Sequence, residues 1–245
     1  MTHIHILSSA RSGSTYLYNM LRIKNNPEQE CYVKDELSFN DPFNIYGMVD
    51  STTSEELIAY RLNYIESHTE PLVIKNHITM LDFLSSEDLD RLRALDLDTI
   101  ILLRQDLFAT ACSLILAETT EEWTFYDNHS RPVHLDETTF ISKLNDVLTD
   151  YNKLHTNKYK FIDPTYVYYE DLSGDPNLDI LLFDEKFDKQ ISVDDIVTRS
   201  PSKQDRITNY AQLKSISDSY YDSEHIKNTF PELSIKESKI ITKKA

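Results

Sequence analysis

Residues 4–21 read IHILSSARSGSTYLYNML. Ile4, Ile6 and Leu7 form a short apolar run of strand character, the small polar segment Ser8 to Thr15 follows, and Leu17, Met20 and Leu21 then recur at helical spacings. The stretch is expected to be a strand, a tight loop and a helix. At such a junction the N–H groups of the first helical turn have no intrahelical partners and point, with the helix dipole, at one spot that favours a phosphate or sulfate. Arg11 adds a fork of charged donors, Gly13 lets the backbone turn sharply or approach a ligand, and Ser14 and Thr15 add hydroxyls. The loop lacks the second glycine and the lysine of an ATP or GTP loop, since Gly13 precedes Ser14. It also lacks the cysteine that a tyrosine-phosphatase loop places before its arginine. The same residues suit an ordinary strand-to-helix turn capped by Ser12 or Ser14, so the anion reading needs support from elsewhere in the chain.

The chain has 245 residues and a formal net charge of −16, with 40% apolar and 27% charged residues. These values fit one folded α/β domain over residues 1–245. The acidic balance argues against non-specific binding of nucleic acid or of an anionic membrane, whose affinity comes mainly from neutralised phosphates. Any anionic ligand must then be held in a locally basic pocket. The two cysteines, Cys31 and Cys112, make neither a disulfide framework nor a metal knuckle, and no metal ion is assigned to scattered His129, His134 and His155. The start, MTHIHILSS, reads as a strand and not as a signal peptide, and no apolar run approaches the roughly 18 residues of a membrane helix. A cytoplasmic protein without stable membrane insertion is expected.

With three glycines in the chain, turns must lean on Asn, Asp, Ser and Pro. Residues 22–54 read as a long irregular excursion beside the anion loop, and acceptor recognition is expected there. Its Tyr32, Phe39, Phe43 and Tyr46 suit a sugar or lipid site, or simply anchor the loop. A helix capped by Ser54 and running to His68 follows, then a strand at Leu72–Lys75, a helix opening at Ser86, and the most apolar strand, Asp98–Leu103. The pattern is a doubly wound α/β fold, a mainly parallel central sheet flanked by helices. Arg104 closes the apolar strand, and such sheets bind ligands at the C-terminal ends of their strands. Ser113 lies nine residues on, in the helix Leu107–Thr120. Arg104 and Ser113 could converge on a second anion; alternatively Arg104 is salt-bridged and Ser113 bonds back to its own helix. Helices are also expected over 136–155 and over Ile207–Tyr221, with a frayed tail at 235–245.

SARSGSTYL at 9–17 together with LLRQDLFATACSLILAETTEEW at 102–123 resembles the sulfotransferases that use 3'-phosphoadenosine 5'-phosphosulfate, and most closely the bacterial Stf0-like carbohydrate sulfotransferases. The resemblance implies a P-loop-like sulfotransferase fold. It implies that Arg11, Ser12, Gly13, Ser14 and Thr15 hold the 5'-phosphosulfate and that Arg104 and Ser113 hold the 3'-phosphate. Thr120 and Trp123 stand at characteristic positions of the Stf0-like members. VYYEDL at 167–172 is similar to the family's strand followed by a structural acid, and SKQDRITNYAQL at 202–213 to its late nucleotide-wrapping segment, making Lys203, Gln204 and Arg206 donor-site candidates. That segment is expected to be a loop, ordered by the donor, that leads into the Ile207 helix. The link between motifs is short and glycine-poor, so the acceptor, a carbohydrate or glycolipid hydroxyl, is expected to differ from that of close Stf0 relatives.

Sulfuryl transfer moves a compact charged group in line between two oxygens, so the protein must align both and donate hydrogen bonds to the group. Arg11 and the loop N–H groups suit the second task, and no metal is required because the group carries less charge than a phosphoryl group. A base must take the acceptor proton, and adenosine 3',5'-bisphosphate is the product. By resemblance the base is Glu36, in KDEL; His77, just past a strand end, is the second candidate and starts nearer the useful pKa range. An apolar surround would raise Glu36 toward neutrality, while Lys34 or Lys75 would oppose that shift. A phosphate-binding kinase-like enzyme and a non-catalytic nucleotide-binding protein are the competing classes.

Overall fold

In the computed structural model, residues 3–25, 54–67, 73–120, 132–174 and 203–221 are described, together with Ser223, Ile226 and Thr229. Glu36, Trp123, most of the 22–54 excursion and the 235–245 tail lie outside the described residues.

The opening stretch folds as β1 (His3–Ser8), a five-residue loop and α1 (Ser14–Asn25). Helix α1 runs past position 22, where irregular structure was expected. No glycine or proline interrupts it before Pro27, and the residue preceding a proline is turned away from helix. After α2 (Ser54–Ser67), β2 spans Val73–His77, carrying the expected strand through Asn76 and His77. A short α3 (Ile78–Leu81) and α4 (Ser86–Ala94) follow. The Ser85 hydroxyl caps α4 by accepting from the Asp88 N–H at 3.1 Å. Then come β3 (Leu97–Leu103), α5 (Leu107–Thr120), α6 (Glu137–His155, capped by Asp136), β4 (Thr165–Tyr168) and α7 (Tyr169–Gly174).

The late segment differs from its sequence reading. Lys203–Arg206 is one helical turn, α8, instead of a loop, and the long helix α9 begins at Tyr210, not Ile207. Ile207 has helical spacing but is drawn into a bridge with Val133, where it is buried beside Phe140 and Leu213. Asn209 completes the tie, its side chain accepting from the Leu135 N–H and donating to the Leu135 carbonyl.

The four described strands are all parallel, in the order β2-β1-β3-β4. The fold is thus α/β, a central parallel sheet flanked by helices. Strand alternation sends Leu7, Ile74, Ile101 and Leu103 to one face, against Leu62, Ile65, Ile78, Leu92 and Leu154. Ile4, Ile6, Ile100, Leu102 and Val167 go to the other, against Leu17 and Leu21 of α1 and Leu172 of α7. Continuous apolar strands are what a parallel sheet covered on both sides requires. From β1 the chain builds outward to β2 on one side, then crosses to β3 on the other. The strand order therefore reverses between β1 and β3, which opens a crevice at their C-terminal ends. Arg11 and Arg104 stand at those two ends.

Candidate functional site

The loop between β1 and α1 is shaped by its small residues. Gly13 has φ 90°, a left-handed conformation that glycine adopts at little cost, and a side chain there would overlap the ring of Tyr169. Ser12 is fully buried and donates to the Ser9 carbonyl at 2.8 Å, so its hydroxyl holds the loop together. The first helical bond runs from the Leu17 N–H to the Gly13 carbonyl at 3.2 Å. The N–H groups preceding Leu17 are the ones that a helix start leaves for an anion.

The two expected anion seats meet in space. Arg11, itself at φ 60°, donates from Nε to the Ser113 Oγ at 3.0 Å, and its carbonyl accepts from the Arg104 Nη1 at 2.9 Å. Ser113 is thus bound to the loop of β1 and α1, while the Arg104 guanidinium also lies over the Tyr169 ring, 4.8 Å from its centre. The Arg104 Nε is buried with no hydrogen-bond partner among the described residues, as is the Ser8 Oγ where β1 ends. The turn into α5 is held by acids: the Glu170 carboxylate accepts from the Gln105 and Asp106 N–H groups at 3.1 and 3.2 Å, and the Asp106 side chain from the Ala109 N–H at 2.8 Å. Glu170 therefore holds the turn between β3 and α5, as a structural acid would.

Further cations close on the crevice. Lys203 of α8 is half-buried, and burial together with the positive charges of Arg104 and Arg11 lowers its pKa to about 8, against opposing contributions from Asp106 and Cys112. Gln204 is exposed, and Arg206 is half-buried with its carbonyl accepting from the Val133 N–H. Lys203 is thus the member of the late trio that faces the two arginines electrostatically.

On the β2 side, Asn76 points to the face occupied by buried His5, whose Nε2 is 3.1 Å from the Asn76 Nδ2. Lys75 and His77 consequently share the opposite face, that of α1. The Lys75 ammonium donates to the Thr15 Oγ1 at 3.3 Å and lies over the Tyr18 ring. His77 pairs in register with Ser8. Its pKa is lowered to about 4, first by burial and then by the charges of Lys75 and Arg11, so the imidazole is neutral at pH 7. Cys112 is fully buried and its thiol is pushed up to about 12, which makes it an inert core residue and not a nucleophile.

Arg11, Arg104 and Ser113 are therefore bonded to one another, Gly13 and Arg104 meet at the Tyr169 ring, Lys75 reaches Thr15, and the charge of Arg11 is felt at Lys203 and His77. Ser14 is buried at the start of α1, and Glu36 is outside the described residues. Sequence reasoning placed Lys75 only as a charge near the base and gave Tyr169 no role. The signal for Lys75 was the Lys-Asn-His alternation, since residues two apart on a strand share a face; nothing local in the sequence announces Tyr169, whose role depends on Gly13 and Arg104 meeting it.

No protein-family model and no curated protein matches this sequence. Among solved structures, the chain is similar to a crystal structure of retinol dehydratase in complex with androsterone and inactive cofactor PAP, at 16% identity, over 99% of this chain and 74% of that one, with a TM-score of 0.44.

Proposed function

We propose that this protein is a sulfotransferase that moves a sulfuryl group from 3'-phosphoadenosine 5'-phosphosulfate to an acceptor hydroxyl on a carbohydrate or glycolipid. The observation that carries this reading is the pair of linked anion seats at the switch point of the sheet: the Arg11 carbonyl is held by Arg104, and the Arg11 guanidinium by Ser113. A nucleotide with one phosphate group at the 5' position and another at the 3' position suits two such seats, whereas a linear triphosphate needs one continuous cradle.

In this reading the N–H groups before Leu17, with Gly13, Ser14 and Thr15, hold the 5' group, and Arg104, Ser113 and Lys203 hold the 3'-phosphate. Gln204 and Arg206, on the same turn as Lys203, are assigned to the nucleotide's outer side. As the acceptor oxygen bonds to sulfur, the bond from sulfur to the 5'-phosphate oxygen breaks and the acceptor proton passes to a base. The Lys75 ammonium, held at Thr15, neutralises charge on the departing oxygen. Glu36 and His77 remain the two base candidates, and the position of His77 beside Lys75 favours the histidine. The donor's negative charges offset those of Lys75 and Arg11, so binding raises the depressed His77 pKa toward the range where a base is effective. Ser12 keeps the loop in shape through the Ser9 carbonyl.

The test is release of adenosine 3',5'-bisphosphate from the sulfated donor in the presence of sugar, glycolipid and small-alcohol acceptors, with ATP as the control donor. Acceptor-dependent release is expected, with a fall of about 10²-fold or more in His77→Ala and a smaller one in Glu36→Gln. Phosphate transfer from ATP would favour the kinase-like class, and binding of the bisphosphate without release from any acceptor would favour a non-catalytic nucleotide-binding protein.

A further inference from the structure

Lys203 sits where its charge is opposed. It is half-buried in α8, and its ammonium feels Arg104, at the end of β3, and Arg11, in the loop after β1, as like charges; Asp106 and Cys112 of α5 act in the other sense. Helix α8 has only four residues, Lys203–Arg206, and a single turn does not hold its own conformation in water. Something outside the turn must therefore keep the lysine directed toward the two arginines.

The chain just after α8 supplies it. The Val133 N–H donates to the Arg206 carbonyl at 2.8 Å, the Thr208 N–H to the Val133 carbonyl at 3.0 Å, and the Ile207 N–H returns to the Lys203 carbonyl at 3.0 Å. The half-buried Asn209 side chain extends this short parallel pairing: its Oδ1 accepts from the Leu135 N–H at 3.1 Å and its Nδ2 donates to the Leu135 carbonyl at 2.9 Å. One amide thus stands in for the donor and the acceptor of a further strand residue. Leu135 is itself buried and is followed by Asp136, the cap of α6, while the Asn209 carbonyl accepts from the Leu213 N–H at 3.1 Å as α9 begins. The tie is anchored to the starts of both helices.

We propose that Asn209 is a positioning residue for Lys203: by pairing with both backbone groups of Leu135 it fixes the α8 turn, so that the ammonium stays on the side of Arg104 and Arg11 and meets the 3'-phosphate there. The inference rests on the two-seat reading and deepens it, adding to the 3' seat a residue that never touches the ligand. Loss of the amide takes two partners from Leu135, loosens 207–209 from 133–135, and lets like-charge repulsion turn Lys203 toward solvent.

The test follows the lysine itself in the full chain, labelled with 13C at the lysine Cε and titrated by NMR, its Lys203 signal identified by its absence in Lys203→Arg. The wild-type signal is expected to titrate near about 8, and in Asn209→Ala to move up by at least about one pH unit toward the ordinary lysine value of 10.5. Asn209→Ser, whose hydroxyl can cap α9 but is too short to reach both groups of Leu135, replaces the alanine variant if that one does not fold, with the same shift expected. Titration calorimetry then asks whether the two residues act as one. Asn209→Ala and Lys203→Met are each expected to weaken adenosine 3',5'-bisphosphate about tenfold, the double variant by no more than about twofold beyond Lys203→Met, and adenosine 5'-phosphate binding should change less than about twofold throughout. A residue that merely supported the fold would lower the melting temperature and leave the Lys203 titration in place. An unchanged titration in a folded Asn209 variant, or losses that multiply in the double variant, would overturn the positioning role while leaving the two seats standing. A wild type that binds the bisphosphate no better than the 5'-phosphate would instead overturn the two-seat reading, and the positioning role with it.

Discussion

Alanine at position 13 would meet two obstacles at once, a backbone at φ 90° and the ring of Tyr169 where its methyl group must go. Gly13→Ala is expected to cost about 3 kcal/mol or more of stability, read from denaturant midpoints. Adding Tyr169→Ala should restore only part of it, because the dihedral penalty of about 1 kcal/mol remains; full recovery would mean that the ring alone excludes a side chain. Lys203 gives the residue scale a second handle. Its pKa is lowered to about 8, and a lysine must be protonated to hold a phosphate, so bisphosphate affinity should fall as pH rises through that value. The ligand itself is fully ionised there, since the second phosphate pKa is about 6. Lys203→Arg, which stays charged, is expected to flatten the profile between about pH 7 and 9. A wild-type affinity unchanged over that range would detach Lys203 from the ligand.

At the scale of elements, the site depends on how β2 is set against β1. His5 is fully buried, with its Nε2 at 3.1 Å from Asn76 and its Nδ1 at 3.4 Å from Thr99, a polar row across three adjacent strands. A slip of one residue would break this row and turn Lys75 and His77 to the wrong face. Burial lowers the His5 pKa from 6.5 to about 3. The unfolded chain therefore binds a proton that the folded chain does not throughout that window. The full contribution is present above about pH 6.5 and is lost by about 1.4 kcal/mol for each pH unit below it. In His5→Gln, which can still hydrogen-bond but does not titrate, the dependence of stability on pH between about 6 and 4 should be shallower by about one proton's worth. Identical slopes would show that His5 is protonated in the fold. Elements were also where the sequence was most legible. The runs of β1 and β3 and the apolar period of α5 and α6 announce themselves, because local patterns reflect which face is buried. Ile207 misled because helical spacing says nothing about a bridge to Val133, 74 residues away. The bond between Arg11 and Ser113 spans 102 residues and exists only because β1 and β3 are neighbours.

For the molecule as a whole, topology and charge act together. The chain carries a net charge of −16, yet Arg11, Arg104, Lys203 and Lys75 gather where the order of strands reverses. A cationic crevice in an acidic protein repels extended polyanions from its surroundings while retaining a small one. No helix among the described residues is long and apolar enough to cross a membrane. The two proposed phosphate motifs were readable from sequence as separate segments; that they touch through Arg11, Arg104 and Ser113 required the fold, and the proposed acceptor segment, with Glu36 and its aromatic neighbours, lies outside the described residues. The most direct measurement is the affinity of adenosine 3',5'-bisphosphate against adenosine 5'-phosphate, by titration calorimetry on the wild type and on Arg104→Ala. The expected result is a preference for the bisphosphate of at least about tenfold in the wild type, largely abolished in Arg104→Ala. Equal affinities for the two nucleotides in the wild type would contradict the central claim that this crevice holds two separate phosphates.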